Sequence, residues 1–200
     1  MYVLRLIFIA LHKKIQIRCD WVPKDPLYRE YHDNEWGTPQ HDDVSLFELL
    51  ILEGMQAGLS WSTVLRKREN FRRAFDYFDP VKISKYKEAK LLALKNDEGI
   101  IRNSLKIRAA VLNANAFLKI QNEYGSFDAY IWKFVGGTPK KNSRKDVKEI
   151  PARTLESDAM SKDLSSRGFK FVGSTICYSF MQASGMVNDH ITKCFRYGEL

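Results

Sequence analysis

The chain has 200 residues, 44% of them hydrophobic and 28% charged, enough to bury one substantial core. Its formal net charge of +8 favours a polyanionic partner, and the acidic residues interspersed among the lysines and arginines exclude a disordered basic tail. Three cysteines, Cys19, Cys177 and Cys194, are too few for a closed disulfide framework and suit a reducing compartment.

Residues 1–17 read as an extension of uncertain order. Their apolar start carries Arg5, is too short to span a bilayer and lacks a small-residue cleavage site. The domain proper is expected over residues 18–200, as one compact unit with room for two lobes. Pro23, Asp25 and Pro26 mark an irregular entry, and Trp36, Gly37, Thr38 and Pro39 a turn. A helix is predicted over 44–57, with Leu46, Leu49, Leu50 and Glu53 sharing one side and Gly58 as the stop. Ser60 caps the next helix, with Leu59 placed to pack on Val64 as a hydrophobic staple. That helix carries Trp61, Leu65, Phe71 and Phe75 until Asp79 and Pro80 break it.

A charged helix follows over 83–95. A long one follows over 104–123, where Ile107, Val111, Ala114 and Leu118 repeat at helical spacing. A short helix over 127–135 stops at Gly136 and Gly137. Residues 138–153 are polar and basic and read as loop. A helix over 157–167 ends at Gly168, residues 169–173 make a tight turn, and a last helix runs from Ser174 to Ala183 before Gly185. Nothing alternates like a long strand, so the fold is expected to be all-α. A helix–hairpin–helix unit of this kind can present backbone N–H groups to a phosphate.

Two cysteines and two histidines stand at the two ends of the chain: Cys19 and His32, then His190 and Cys194. The last two are four apart, the spacing of one face of a helical turn. Two thiolates and two imidazoles suit tetrahedral zinc and would tie the N-terminal segment to the C-terminus. Cysteines and histidines also serve as buried core residues, and spacing alone leaves both readings open.

Glu53 shares its face with leucines, where a carboxylate costs several kcal/mol unless it is paired or borders a functional cavity. Trp21, Tyr28, Tyr31, Trp36 and Trp61 crowd the same part of the sequence. They could be core, or could form a slot in which a planar base stacks. Leu59, between two helices, fits either the staple or a wedge that fills the gap left by a displaced base. Cys177 has the apolar surroundings of an inert core thiol. No phosphate-binding glycine loop, His-Glu-x-x-His pair or Gly-x-Ser-x-Gly elbow is present, which removes the common NTPase, metalloprotease and esterase classes.

The stretches Arg18-Cys19-Asp20-Trp21, Tyr31-His32-Asp33-Asn34-Glu35-Trp36-Gly37 and Glu53-Gly54-Met55-Gln56-Ala57-Gly58-Leu59-Ser60-Trp61 resemble the bacterial DNA-3-methyladenine glycosylase I family. So do Phe78-Asp79-Pro80, Gly168-Phe169-Lys170-Phe171-Val172-Gly173 and Gly185-Met186-Val187-Asn188-Asp189-His190, and the likeness extends from Arg18 to about Cys194. The resemblance implies a helix-hairpin-helix DNA glycosylase fold with one structural zinc joining the two ends of the chain through Cys19, His32, His190 and Cys194. It implies hydrolytic excision of 3-methyladenine from alkylated double-stranded DNA, releasing the free base and leaving an abasic site.

By position, the catalytic carboxylate falls on Glu53 and the base-binding rings on Tyr31 and Trp61, with Trp21, Tyr28 and Trp36 beside them. The intercalating residue falls on Leu59, and the phosphate-gripping hairpin on Phe171, Val172, Gly173 and Ser174. Asp189, beside a zinc ligand, is expected to be structural. No organic cofactor or membrane association is expected, and a monomer in the bacterial cytoplasm is. The alternative is a zinc-stabilised DNA-binding protein without catalysis.

Overall fold

The computed structural model describes residues 16–200, so the expected extension lies outside it except for Gln16 and Ile17. The Asp25 carboxylate accepts from the N–H groups of Leu27 and Tyr28, and Pro26 occupies the first turn, where a missing N–H costs nothing. Helix α1 (Pro26–Asn34) therefore begins where the sequence was read only as an irregular entry. Helix α2 (Asp43–Gln56) starts on Asp42, and all ten residues from Leu46 to Met55 are buried. It is enclosed on every side, so the one-face reading of Leu46, Leu49, Leu50 and Glu53 was too narrow.

Ser60 caps α3 (Trp61–Ala74) as expected, accepting from Thr63 N. The chain then turns left-handed through Asp76, Tyr77 and Phe78. Asp79 and Pro80 do not merely break a helix: they start α4 (Pro80–Ile83), with the Asp79 side chain capping Val81 N and Lys82 N. The charged helix expected over 83–95 is thus interrupted and resumes as α5 (Glu88–Asn96). Between the two, Tyr86 packs beside Phe75 and donates to Asp76.

Helix α6 (Ser104–Tyr124) is capped by Asn103, and α7 (Phe127–Ile131) runs on into a 3-10 turn, Trp132–Val135. Helix α8 (Leu155–Ser166) begins at a Thr154/Ser157 capping box, and α9 (Ser174–Ala183) occupies the positions predicted for it. Two short strands, β1 (Lys140–Lys141) and β2 (Val187–Asn188), pair in parallel inside the region read as loop.

The core is centred on α2, which packs against α3, α6, α7 and α9. Phe47, Phe117 and Phe127 stack where α2, α6 and α7 meet, with centroids 4.8 and 4.4 Å apart. The ends of the chain are brought together: Phe195 N donates to Ile17 O at 2.8 Å, and Gly37 N to Gln182 O at 3.0 Å. Gly185 has φ +71, and a Cβ there would lie 2.3 Å from the Thr38 carbonyl carbon, so only glycine permits this crossing.

Candidate active site and metal cluster

A cavity of about 340 Å³ opens between α1, α2, the start of α3 and α9. At the lower end of the roughly 300–1,000 Å³ typical of small-ligand sites, it suits one planar base. Its walls include all five aromatic residues singled out in the sequence, Trp21, Tyr28, Tyr31, Trp36 and Trp61, together with Glu53. Tyr31 and Trp61 have centroids 5.2 Å apart at 44°, already in mutual contact. They form one continuous wall and not two jaws that sandwich a ring between them.

Glu53 is 4% exposed, and burial alone raises its carboxyl pKa to about 8. Among the described residues no hydrogen bond or cation offsets that burial, and the ionised form would in turn raise the pKa values of Tyr28 and Tyr31. Trp61 Nε1 is likewise buried without a hydrogen-bond partner among the described residues. A carboxyl left unpaired on the wall of a cavity is the mark of a site that completes its bonding with a ligand.

The sequence did not reveal Gln56, Val147, Ile150, Ser179 and Gln182, which complete the lining. Gln56 lies one turn from Glu53, so helical spacing could have found it. Val147 and Ile150 could not have been found. They reach the cavity because Lys140 N bonds to Met186 O and Asn142 N to Asn188 O, drawing residues 138–153 across its mouth.

Leu59 lies between α2 and α3 and is 45% exposed, so its side chain projects. In the hairpin between α8 and α9, Phe171 has φ +57 and Val172 is buried. Gly173 is the N-cap of α9 and contributes no side-chain bond, which leaves the first N–H groups of a ten-residue helix open. Cys177 is fully buried, its thiol pushed up to about 12 by burial while it donates to Val172 O.

Most of the basic residues between 66 and 73 are paired within the molecule, although Arg66 and Arg73 remain exposed. Arg66 pairs with Asp25, Arg68 with Glu35 and Glu48, and Arg72 with Glu48 and Glu69, while Lys67 bonds to the carbonyls of Glu98 and Gly99. These charges hold α1, α2 and α3 together.

Cys19, His32, His190 and Cys194 are all buried, and their ligand atoms lie within 4.8 Å of one another in a cluster that could hold a metal ion. Cys194 Sγ is 3.5 Å from His190 Nδ1 and 3.6 Å from His32 Nε2, and Cys19 Sγ is 3.6 Å from His190 Nδ1. His190 and Cys194 meet across a turn closed by Cys194 N bonding to Ile191 O; the segment is not helical, as the spacing had suggested. The other imidazole nitrogens are engaged, His32 Nδ1 with Asp33 at 2.8 Å and His190 Nε2 with Trp36 O at 3.0 Å. The Cys19 thiol donates to Cys194, which holds the Cys194 thiol far below its ordinary pKa and Cys19 far above it. Asp189 is fully buried and accepts from Asn142, Tyr178 and Gln182, as a structural carboxylate should.

The described fold is that of the helix-hairpin-helix DNA glycosylases. The family model described as methyladenine glycosylase matches residues 21–197. The DNA-3-methyladenine glycosylase 1 of Escherichia coli K12 is 53% identical over 180 residues, covering 90% of this chain and 96% of that one. A crystal structure of 3-methyladenine DNA glycosylase I superposes with a TM-score of 0.88 at 54% identity, covering 90% and 98% of the two chains. A second, of a tyrosine-to-phenylalanine variant of such an enzyme in complex with 3-methyladenine, gives 0.87 at 36% identity and covers 89% and 96%. The chain belongs to the methyladenine glycosylase family.

Proposed function

We propose that this protein is a monofunctional DNA-3-methyladenine glycosylase I. It rotates the alkylated base out of duplex DNA and hydrolyses its N-glycosidic bond, leaving free 3-methyladenine and an abasic site. The observation that carries the reading is the unpaired, buried Glu53 in a cavity walled by rings.

A base methylated at N3 carries a positive charge and departs neutral, so leaving it needs little acid catalysis. A cation entering this cavity favours the ionised form of Glu53, whose proton is then expelled, and the Tyr31–Trp61 wall adds cation–π attraction. Neutral adenine offers no such charge and is a far poorer leaving group. Glu53 accepts hydrogen bonds from the base edge, and water, oriented by Glu53 or by the substrate phosphates, attacks the sugar. Among the described residues only one carboxylate borders the cavity, unlike the paired carboxylates of sugar hydrolases. Trp21, Tyr28 and Trp36 complete the walls, Leu59 fills the vacated gap in the duplex, and Phe171, Val172, Gly173 and Ser174 bring the open start of α9 to a phosphate.

In our reading the metal is one structural zinc. Bonds of about 2.3 Å to sulfur and about 2.0–2.1 Å to nitrogen at tetrahedral angles place neighbouring S and N atoms about 3.6 Å apart, which the observed separations support. The ion would cross-link the chain ends and hold Trp21, Tyr31 and Trp36 in place. Residues 18–200 act as one monomeric unit in the bacterial cytoplasm; no helix among the described residues is long and apolar enough to cross a membrane.

Glu53→Gln tests the proposal. Single-turnover release of 3-methyladenine from methylated duplex should fall by about 10²-fold or more, with duplex affinity within a few-fold of the parent. Unchanged excision would reject the role of Glu53. Duplex binding without base release by the unaltered protein would favour the non-catalytic alternative.

A further inference from the structure

The wedge and the phosphate hairpin are fastened to the same face of α6, which carries neither of them. Lys106, 7% exposed, donates to Met55 O at 2.8 Å and to Ala57 O at 2.6 Å. Those carbonyls, four and two residues before Leu59, lie at the end of α2, where the last carbonyls lack helical partners. Asn113, 4% exposed, accepts from Lys170 N at 2.7 Å and donates to Lys170 O at 3.0 Å, pairing with the hairpin backbone as a strand would.

Seven residues separate Lys106 from Asn113, so they lie on one side of α6 about two turns, or roughly 10 Å, apart. The two attachments also touch. The Lys106 ammonium lies 5.8 Å from the Phe171 ring centre, and a Cβ at Gly54 would meet Phe171 Cβ at 3.3 Å. Gly54, Met55, Lys106, Asn113 and Phe171 line one small common gap, so the end of α2, α6 and the hairpin meet there. A shift of either loop is therefore passed directly to the other.

Resting on the roles proposed above for Leu59 and the hairpin, we infer that Lys106 and Asn113 are positioning residues that set the distance between the point where the duplex is wedged and the point where its backbone is gripped. A strand held at both points must bend by a fixed amount, and that bend carries the damaged base toward Glu53. Neither residue lines the base cavity, so each acts on DNA engagement and not on recognition of the free base.

The test uses the full-length protein, with Lys106→Met, Asn113→Ser, the double variant and Leu59→Ala. Three quantities are read: single-turnover excision from methylated duplex, affinity for free 3-methyladenine by tryptophan quenching, and melting temperature. Each single α6 variant should lower duplex excision about tenfold or more while free-base affinity stays within twofold, copying Leu59→Ala. Lys106→Arg, which keeps donors for both carbonyls, should restore most of the loss. Because the two residues set one distance, the double variant should lose less than the product of the single losses.

Parental excision by Lys106→Met and Asn113→Ser, or a free-base affinity that falls in parallel, overturns the inference. So does loss of the fold in both variants, which would assign the contacts to stability alone. If only one variant folds, that variant decides the question. The functional reading fails separately, if the unaltered protein releases no base or if Leu59→Ala is silent.

Discussion

Helix α1 presents two consecutive residues to two different sites. Tyr31 lines the base cavity, and His32, next in the chain, belongs to the metal cluster. In the cluster every ring nitrogen and sulfur has a near partner, and the outer nitrogens are held by Asp33 and by the Trp36 carbonyl. In the cavity Glu53 has no compensating neighbour and Trp61 Nε1 has no partner. Both sites are buried and both are rich in polar atoms. One has its bonding complete but for an ion at the centre. The other keeps an unpaired carboxyl on its wall. On the function proposed above, that difference separates a part that stabilises from a part that reacts.

Breaking the complete site should give the largest effect. Cys194→Ser removes a ligand shared by both imidazoles and should cost about 5 kcal/mol or more of stability, with loss of bound zinc. Thermal melts with parallel metal analysis check this, and chelation of the parent protein should move its melting temperature the same way. A variant that melts normally yet no longer excises would make the cluster chemical and erase the contrast.

The incomplete site should show itself in pH dependence. The Glu53 carboxyl has a pKa of about 8 in the folded protein, against an ordinary 4.5. Between those values the folded state holds a proton that the unfolded chain has released, so stability falls as pH rises through this window and levels off above about 8. Glu53→Gln cannot titrate. Between pH 5 and pH 9 it should lose less stability than the parent by a few kcal/mol, measured by urea denaturation. Excision should show the other side of the same ionisation. In the parent, kcat/KM should rise with pH toward an apparent pKa near 8, a limb absent from whatever activity Glu53→Gln retains. Parallel stability curves for the two proteins would show that Glu53 is satisfied after all.

How legible these two sites were in the sequence follows from what fixes each. The cluster was legible because metal ligands are few, chemically distinctive and named by type; their meeting across the chain needed only a closed fold. Helix starts were legible where a side chain caps locally, as at Ser60 and at the Thr154/Ser157 box. Asp25-Pro26 was the same kind of signal, misread because proline was taken as a break when it sat at the first turn. The contribution of Val147 and Ile150 to the lining is hidden because they arrive through backbone pairing between β1 and β2. The positive charge of residues 66–73 is legible in the sequence, but the partners of Arg68 and Arg72 are not. Arg68 and Arg72 converge on Glu48, a residue buried on a helix whose surroundings are set by tertiary packing.

The mildest perturbation sharpens the comparison most. Trp61→Phe removes the indole N–H that the cavity leaves without a partner and keeps an aromatic ring against Tyr31. Truncating a buried tryptophan ordinarily costs several kcal/mol, because packing is lost and a cavity remains. Here deletion of an unsatisfied donor returns about 1–3 kcal/mol, so the net change in stability should stay within about 1 kcal/mol. Affinity for free 3-methyladenine should nevertheless fall about three- to tenfold, since a smaller ring offers less stacking surface to the base. Calorimetric melting and base titration of the same sample separate the two effects. A large loss of stability with undiminished base affinity would mean that Trp61 is core after all, and that the wall facing the base is made by Tyr31 and its other neighbours.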